Sequence, residues 1–181
     1  RCGFLGPLHM EIVQERLERE FGMQLITTCP NVSYSLKTKR GEDIQINNPT
    51  DMPDSVEIEF ILEPYIKAEI IVPTEYIGVI MKLCTVKRAV YISTNYLSKD
   101  KVQLNYNMPL GEIIYDFFEK LKSVSRGYAS FDYELIDSQM GELVKLDIRL
   151  AGEIVDALSI IIHKNNAYKQ GASLCKKIKE K

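Results

Sequence analysis

"YIKAEIIVPTEYIGVIMKLC", residues 65–84, changes its hydrophobic period partway along. Ile66, Ala68, Ile70 and Val72 alternate with other residues, the period of two expected of a strand with one buried face. Pro73 ends that run. Thr74 is a residue type favoured at helix N-caps, and Ile77, Ile80, Met81 and Cys84 then recur at steps of three and four. The stretch therefore predicts a strand followed by a helix. "VYISTNY" (90–96) and "KVQLNYN" (101–107) predict two further strands joined by "LSKD". Pro109 opens a second helix with Ile113, Ile114, Phe117, Phe118 and Leu121 on one face, and Gly127 is its expected stop. "ASFDYELI" (129–136) is the last strand, with Ala129, Phe131, Tyr133 and Leu135 alternating inward. The order β-α-β-β-α-β defines an α+β fold, the ferredoxin-like split βαβ unit, with both helices on one face of a four-stranded antiparallel sheet.

Outward from this unit the pattern is shorter. "GFLGPLHMEIVQERLEREFG" (3–22) predicts an amphipathic helix, with Met10, Val13, Leu17 and Phe21 on its apolar side, Glu15 and Arg19 as an i,i+4 pair, and Gly22 as its stop. "MQLITTC" (23–29), "VSYSLKT" (32–38) and "IQIN" (44–47) have strand character, the last two forming a hairpin through "KRGED". Residues 47–63 carry Pro49, Pro53 and several acids and are expected to link the two parts. After Gly141 come a strand, a turn at "AGE", a second apolar segment and a basic helix with Tyr168, Ala172, Cys175 and Ile178 on one side.

Composition bounds the function. The 181 residues are 45% hydrophobic and 27% charged, ordinary for a soluble globular chain, and the net charge of −2 excludes a polycation. The charge is uneven. From Lys164 to Lys181 there are six Lys and one Glu, a local +5 that leaves −7 on the remainder. Cys2, Cys29, Cys84 and Cys175 form no CxxC pair and have no His at metal-ligand spacing, so no metal site is expected and a reducing compartment is. No apolar run is long enough for a membrane span. The first residue is Arg rather than Met, which suggests a piece of something longer.

Residues Arg126-Gly127-Tyr128-Ala129-Ser130-Phe131-Asp132-Tyr133 approach the RNA-binding signature of an RRM domain, missing at Ser130 and Phe131. In an RRM that signature lies on the third strand, whereas here it lies on the fourth. The third strand has only Tyr106 as an aromatic. Phe131 and Tyr133 are therefore expected in the core. Arg126-Gly127-Tyr128 is expected at a helix-to-strand corner that meets RNA through shape and phosphate.

"RCGFLGPLHMEIVQERLEREF", "NPTDMPD", "EPYIKAEIIVP", "YDFFEKLKSVSRGYASFDYEL" and "LVKLDIRLAGEIVDALSIIIHK" together resemble the translational GTPases related to elongation factor G. The likeness is strongest to the branch that lacks the separate domain IV and carries a C-terminal domain of its own. The resemblance covers essentially the whole chain, with Pro7 standing where the family has Leu. It implies the second half of domain III at 1–46, a linker at 47–63, domain V at 64–137 and the start of the C-terminal domain at 138–181. It also implies partners: the ribosome, through large-subunit RNA near the stalk base, and tRNA, with no stable hetero-oligomer. The implied setting is the bacterial cytoplasm, with peripheral membrane association of the whole factor as a further expectation.

The implied activity is GTP hydrolysis with Mg, acting on the ribosome–tRNA complex in reverse translocation and in protein synthesis under stress. No GxxxxGK[ST] phosphate loop stands in this chain, so no active site is expected within it. The RNA-contact candidates are exposed basic and aromatic residues at corners: Lys122, Arg126 and Tyr128, then His163, Lys164, Tyr168 and Lys169, then Lys176, Lys177 and Lys179. The competing expectation is a self-standing βαββαβ module that binds RNA or a small ligand. An additional N-terminal half-domain speaks against it.

Overall fold

The computed structural model describes residues 7–25, 32–114 and 116–179, the side chains of Pro7 and Lys177 excepted. The chain divides into two compact units, residues 1–30 and 31–181. In the first, helix α1 spans Pro7–Phe21. Gly22 takes φ +62°, the left-handed conformation that a helix stop favours. Arg16–Glu20 and Arg19–Glu15 pair along its exposed side at 3.1 and 3.4 Å. Met10, Val13 and Leu17 are half-buried, whereas Phe21, expected in the same stripe, is 70% exposed. The strand expected at 23–29 falls mostly outside the described residues.

The second unit is built on one long strand. A hairpin of β1 (Tyr34–Thr38) and β2 (Asp43–Ile46) precedes β3, which runs from Ile58 to Pro73. Then come α2 (Ile77–Val86), β4 (Val90–Tyr96), β5 (Lys101–Pro109), two short helices α3 (Leu110–Ile113) and α4 (Phe117–Val124), and β6 (Ser130–Met140). The strand order is β2-β1-β3-β5-β4, with β6 on the other edge of β3, and every pairing is antiparallel. The subset β6-β3-β5-β4 is the expected ferredoxin-like sheet.

The expected linker does not hold throughout, because β3 already begins at Ile58, inside it. Its first residues pair with β1 (Leu62 opposite Ser35) and its later ones with β5 (Tyr65 opposite Pro109). Pro64 lies between the two ladders, where its missing N–H costs no ladder bond. Along the other edge β6 has residues 137 and 138 facing Pro64, a bulge. Buried residues also change parity here, from Ile61, Glu63 and Tyr65 to Ile66, Ala68, Ile70 and Val72. The alternation legible in the sequence therefore starts only at Ile66.

Two cores result. Ile66, Ala68, Ile70, Val72, Val102, Leu104, Tyr106 and Met108 of the sheet pack against Ile80 and Cys84 of α2 and Phe117 and Leu121 of α4. The second core joins Val32, Tyr34, Leu36, Ile46, Ile61 and Leu143. Leu143 opens β7 (Leu143–Leu146), which pairs with β10 (Ile160–His163) and leads, after the small hairpin β8 (Arg149–Leu150) and β9 (Glu153–Ile154), to helix α5 (Lys164–Lys179). The hairpin and the C-terminal segment thus share one core, which neither could build alone.

Three local expectations are corrected. Thr74 lies inside a 3-10 turn (Thr74–Tyr76) whose cap is Pro73 and makes no side-chain cap bond. The second helix is two pieces, α3 ending at Ile113 and α4 starting at Phe117, and Phe117 is fully buried while Phe118 is 53% exposed. On β6 Phe131 is half-buried, its ring edge-on to Phe117 at 5.2 Å, but Tyr133 and Leu135 are 49% and 67% exposed. They lie on the helix-covered face, opposite Ala68 and Ile66, at an edge the helices do not reach.

Burial also sets an alkaline limit on stability. It pushes the Cys84 thiol from 9.0 up to about 12, and the Tyr106 hydroxyl, which has no hydrogen-bond partner among the described residues, from 10.0 to about 12. Unfolding releases both to their ordinary values, so above pH 9 the unfolded chain holds fewer protons than the folded one. Stability then falls as pH rises. Urea unfolding is expected to be flat from pH 7 to 8 and to weaken from pH 9 upward; a midpoint unchanged to pH 10.5 would contradict this assignment.

Candidate RNA-contact surface

Both helices of the βαββαβ layer end in the same hydrogen-bonded motif. After α4, Gly127 N–H donates to Lys122 O at 2.7 Å and Arg126 N–H to Ser123 O at 3.3 Å. After α2, Ala89 N–H donates to Cys84 O at 3.0 Å and Arg88 N–H to Thr85 O at 3.2 Å. Each is a Schellman stop, and its left-handed position is usually glycine. Here Arg88 and Arg126 occupy it at φ +56° and +50°. A side chain in that conformation costs roughly 1 kcal/mol, so each arginine needs a compensating contact.

Arg88 has one. Its guanidinium donates two bonds to Glu63 at 2.8 and 2.9 Å and a third to Glu112 at 2.9 Å. Burial disfavours its charge, but the bonds from Glu63 and Glu112 outweigh that and hold its pKa above the ordinary arginine value. Lys87 extends the array to Asp116 at 2.7 Å, and Lys120 also bonds Asp116. Burial raises the Asp116 carboxyl, but the two lysines outweigh it and leave the group below the usual carboxylate range.

Arg126 has no such partner among the described residues. It is exposed on a rigid corner. Ser125, fully buried, donates its hydroxyl to Leu121 O at 2.8 Å and accepts the Ala129 N–H at 3.1 Å. Tyr128, 67% exposed, stacks on Tyr76 with centroids 6.1 Å apart and planes 25° apart. Lys122 is half-buried; its Nζ lies 5.5 Å from the Phe118 ring and reaches Gly127 O at 3.4 Å. Tyr76 is the member the sequence did not reveal. It sits at the start of the first helical half, some fifty residues away, and only the packing of α2 beside α4 brings it to Tyr128.

The other candidates lie on β10 and α5. His163 is half-buried and its Nδ1 accepts the Asn165 N–H at 3.3 Å. Lys164, Lys169, Lys176 and Lys179 are exposed, as is Tyr168 at 89%. The side chain of Lys177 lies outside the described residues. The apolar side expected for this helix is corrected: Tyr168, Ala172 and Cys175 are exposed, and the inward row is Ala167, Gly171, Leu174 and Ile178. Gly171 fits closely over Leu146, where an added Cβ would lie 3.6 Å from both methyls. A cleft of about 360 Å³ opens beside α5, lined by His163 and Lys169 on one wall and by Lys87, Arg88, Glu112 and Lys120 on the other. Lys122, Arg126 and Tyr128 do not line it, so the corner and α5 are separate places on the surface.

The open face of the sheet is not an RNA platform. Its central strands present Lys67, Glu69, Gln103, Asn105 and Asn107, with Asp132 and Glu134 on β6. From Lys67 to Ile71 and from Gln103 to Asn107 no aromatic stands on that face, Tyr65 beyond them is buried, and the acids repel phosphate. Among the described residues no group of three His, Cys, Asp or Glu is placed to hold a metal ion. Among them, too, no helix is long and apolar enough to cross a membrane.

A split βαβ layer with this corner defines a class. The family model described as "Elongation factor G C-terminus" matches residues 60–149, placing the chain among the translation elongation factors of that group. The chain belongs to the elongation factor 4 family, also called LepA. It is 56% identical over 180 residues to elongation factor 4 of Halalkalibacterium halodurans, 56% over 179 to that of Agathobacter rectalis and 57% over 180 to that of Bacteroides fragilis. Each alignment covers 99% of this chain and 30% of the relative, so the chain spans less than a third of their length. A solved crystal structure from Thermus thermophilus aligns with 45% of this chain and 12% of its own at 16% identity, with a TM-score of 0.42.

Proposed function

We propose that these residues are the ribosome-binding part of a translational GTPase that acts on the ribosome–tRNA complex in the bacterial cytoplasm. One observation carries the reading. Of two arginines held in the same strained position, Arg88 is bonded by carboxylates and Arg126, among the described residues, is not. Arg126, with the stacked Tyr128 and Tyr76, is aimed at a partner outside the chain, and a phosphate group is the ligand an exposed guanidinium recognises best. Lys164, Lys169, Lys176 and Lys179 supply a second basic surface. Large-subunit RNA and tRNA are the partners in this proposal, and reverse translocation is the activity of the whole factor.

The domain reading is part of the same proposal: domain III for 1–46, domain V for 64–137 and the start of the C-terminal domain for 138–181. Nucleotide and Mg do not fit the residues present, since the sequence has no phosphate loop and the described residues offer no metal group.

Replacing Arg126, Lys164 and Lys169 together by Glu tests the reading. Lys and Arg that displace counterions give a log–log salt slope of roughly 0.7–0.9 per phosphate neutralised. The triple variant is expected to lose ribosome co-sedimentation by about tenfold or more at low salt and to show a flatter slope. The fold should persist, because all three side chains are exposed. Equal binding by both proteins across the salt series would remove these residues from the interface.

A further inference from the structure

Three features coincide at one level of the molecule. Pro64 interrupts β3 there, residues 137 and 138 bulge out of β6, and the first core gives way to the second. Two continuous strands therefore cross from the βαββαβ layer to the body made by the β1–β2 hairpin, β7, β10 and α5, and both are irregular at the crossing. Beside the crossing the two bodies face each other across the cleft of about 360 Å³. Within the one compact unit 31–181, where Leu110 packs on both cores, this crossing is the place a hinge would occupy.

The same level carries a clasp. Glu63, only 2% exposed, precedes Pro64 on β3; Arg88, just past α2, bonds it, and Glu112 of α3 bonds Arg88. Gly141, just past β6, completes it. Its N–H donates to Ile61 O at 3.0 Å, and a Cβ there would lie 2.5 Å from Glu63 Oε1. That carboxylate is pinned by Arg88 and cannot swing aside, so only glycine leaves it in place. Glu142 O then accepts the N–H of Lys164, the first residue of α5, at 2.9 Å.

We propose that the Glu63–Arg88–Glu112 triad, seated on Gly141, is the latch of a hinge at Pro64 and the β6 bulge, and that it holds the α5 body at one angle to the βαββαβ layer. The latch fixes the distance between the Arg126 corner and the basic face of α5. If those are the RNA contacts, as proposed above, the latch lets both engage one ribosome without an ordering cost at binding. The hinge itself is independent of that reading.

The test is a distance distribution between spin labels on the native Cys175 and on a Ser98→Cys variant, both exposed, in the full chain with Cys2→Ser and Cys29→Ser. Cys84 is buried and stays unlabelled. The parent is expected to give one narrow peak. Glu63→Gln/Arg88→Met, which removes both charges of the clasp, and Gly141→Ala, which displaces the Glu63 carboxylate, are each expected to widen it by about twofold or add a second peak. A control pair within the layer, Ser98→Cys with Ser123→Cys and Cys175→Ser, should keep its parent width. A folded double variant with the parent's distribution overturns the latch. If that variant does not melt cooperatively, Gly141→Ala decides alone, and an unchanged peak there overturns it equally. Ribosome binding enters neither measurement, so failure here and failure of the RNA reading are told apart.

Discussion

Glu63→Ala is expected to destabilise the chain by about 3–5 kcal/mol, the cost of leaving a part-buried guanidinium without its main partner. Arg88 keeps only Glu112 in that variant, while its backbone still bears the left-handed strain. Arg88→Met is costly for the mirror reason, since it strands a carboxylate that is 2% exposed. Glu63→Gln/Arg88→Met should cost clearly less than the two single changes summed, with a coupling of about 1–3 kcal/mol. Urea unfolding of Glu63→Gln, Arg88→Met and their combination closes the cycle. Strict additivity would mean that the pair, despite bonds of 2.8 and 2.9 Å, carries no coupled energy and that the charges are solvated. The loss should barely respond to added salt, because buried pairs are screened far less than exposed ones. Lys67–Glu134, with side chains 44% and 66% exposed on the open face, is the internal contrast, and removing it should be nearly silent.

Phe117→Ala and Phe118→Ala should differ by several kcal/mol although the residues are adjacent. Phe117 is fully buried against Phe131, and truncating such a ring costs about 3–5 kcal/mol through lost burial and the cavity left behind. Phe118 is 53% exposed, and its visible contact is the ammonium of Lys122 over its ring. Its loss should stay within about 1 kcal/mol. If the corner is the proposed RNA contact, Phe117→Ala should also weaken that binding by loosening α4, which leads into it. Phe118→Ala frees the Lys122 side chain and leaves the corner backbone intact. Thermal melts of both variants settle the comparison, and equal destabilisation would mean the break before α4 is misplaced.

The sequence by itself determined the βαββαβ order. Ile66 to Val72 and Ile77 to Cys84 each carry one period over one element, kept in the fold because one core buries Ile66, Ala68, Ile70, Val72, Ile80 and Cys84, and the strands and helical segments after them follow in the expected order. It also determined the stops at Gly22 and Gly127, whose positive φ is a local requirement. The basic and aromatic character of the corner was equally legible, since Arg126 and Tyr128 are neighbours in the chain.

Tertiary structure alone decided the rest. Ile58–Glu63 looked like linker because the buried parity reverses between Tyr65 and Ile66, and a pattern that changes phase inside one strand cancels itself in a window that spans the change. The broken second helix was invisible because Phe117 and Phe118 both fit one helical stripe, and the bond from Lys87, just past α2, to Asp116 at the start of α4 is a contact between distant residues. Tyr133 and Leu135 alternate correctly, yet remain exposed because no helix covers the outer edge of β6. Tyr76 joins Tyr128, and Glu63 joins Arg88 and Gly141, across dozens of residues. Such contacts depend on where separate elements come to rest, and a local sequence pattern carries no record of that.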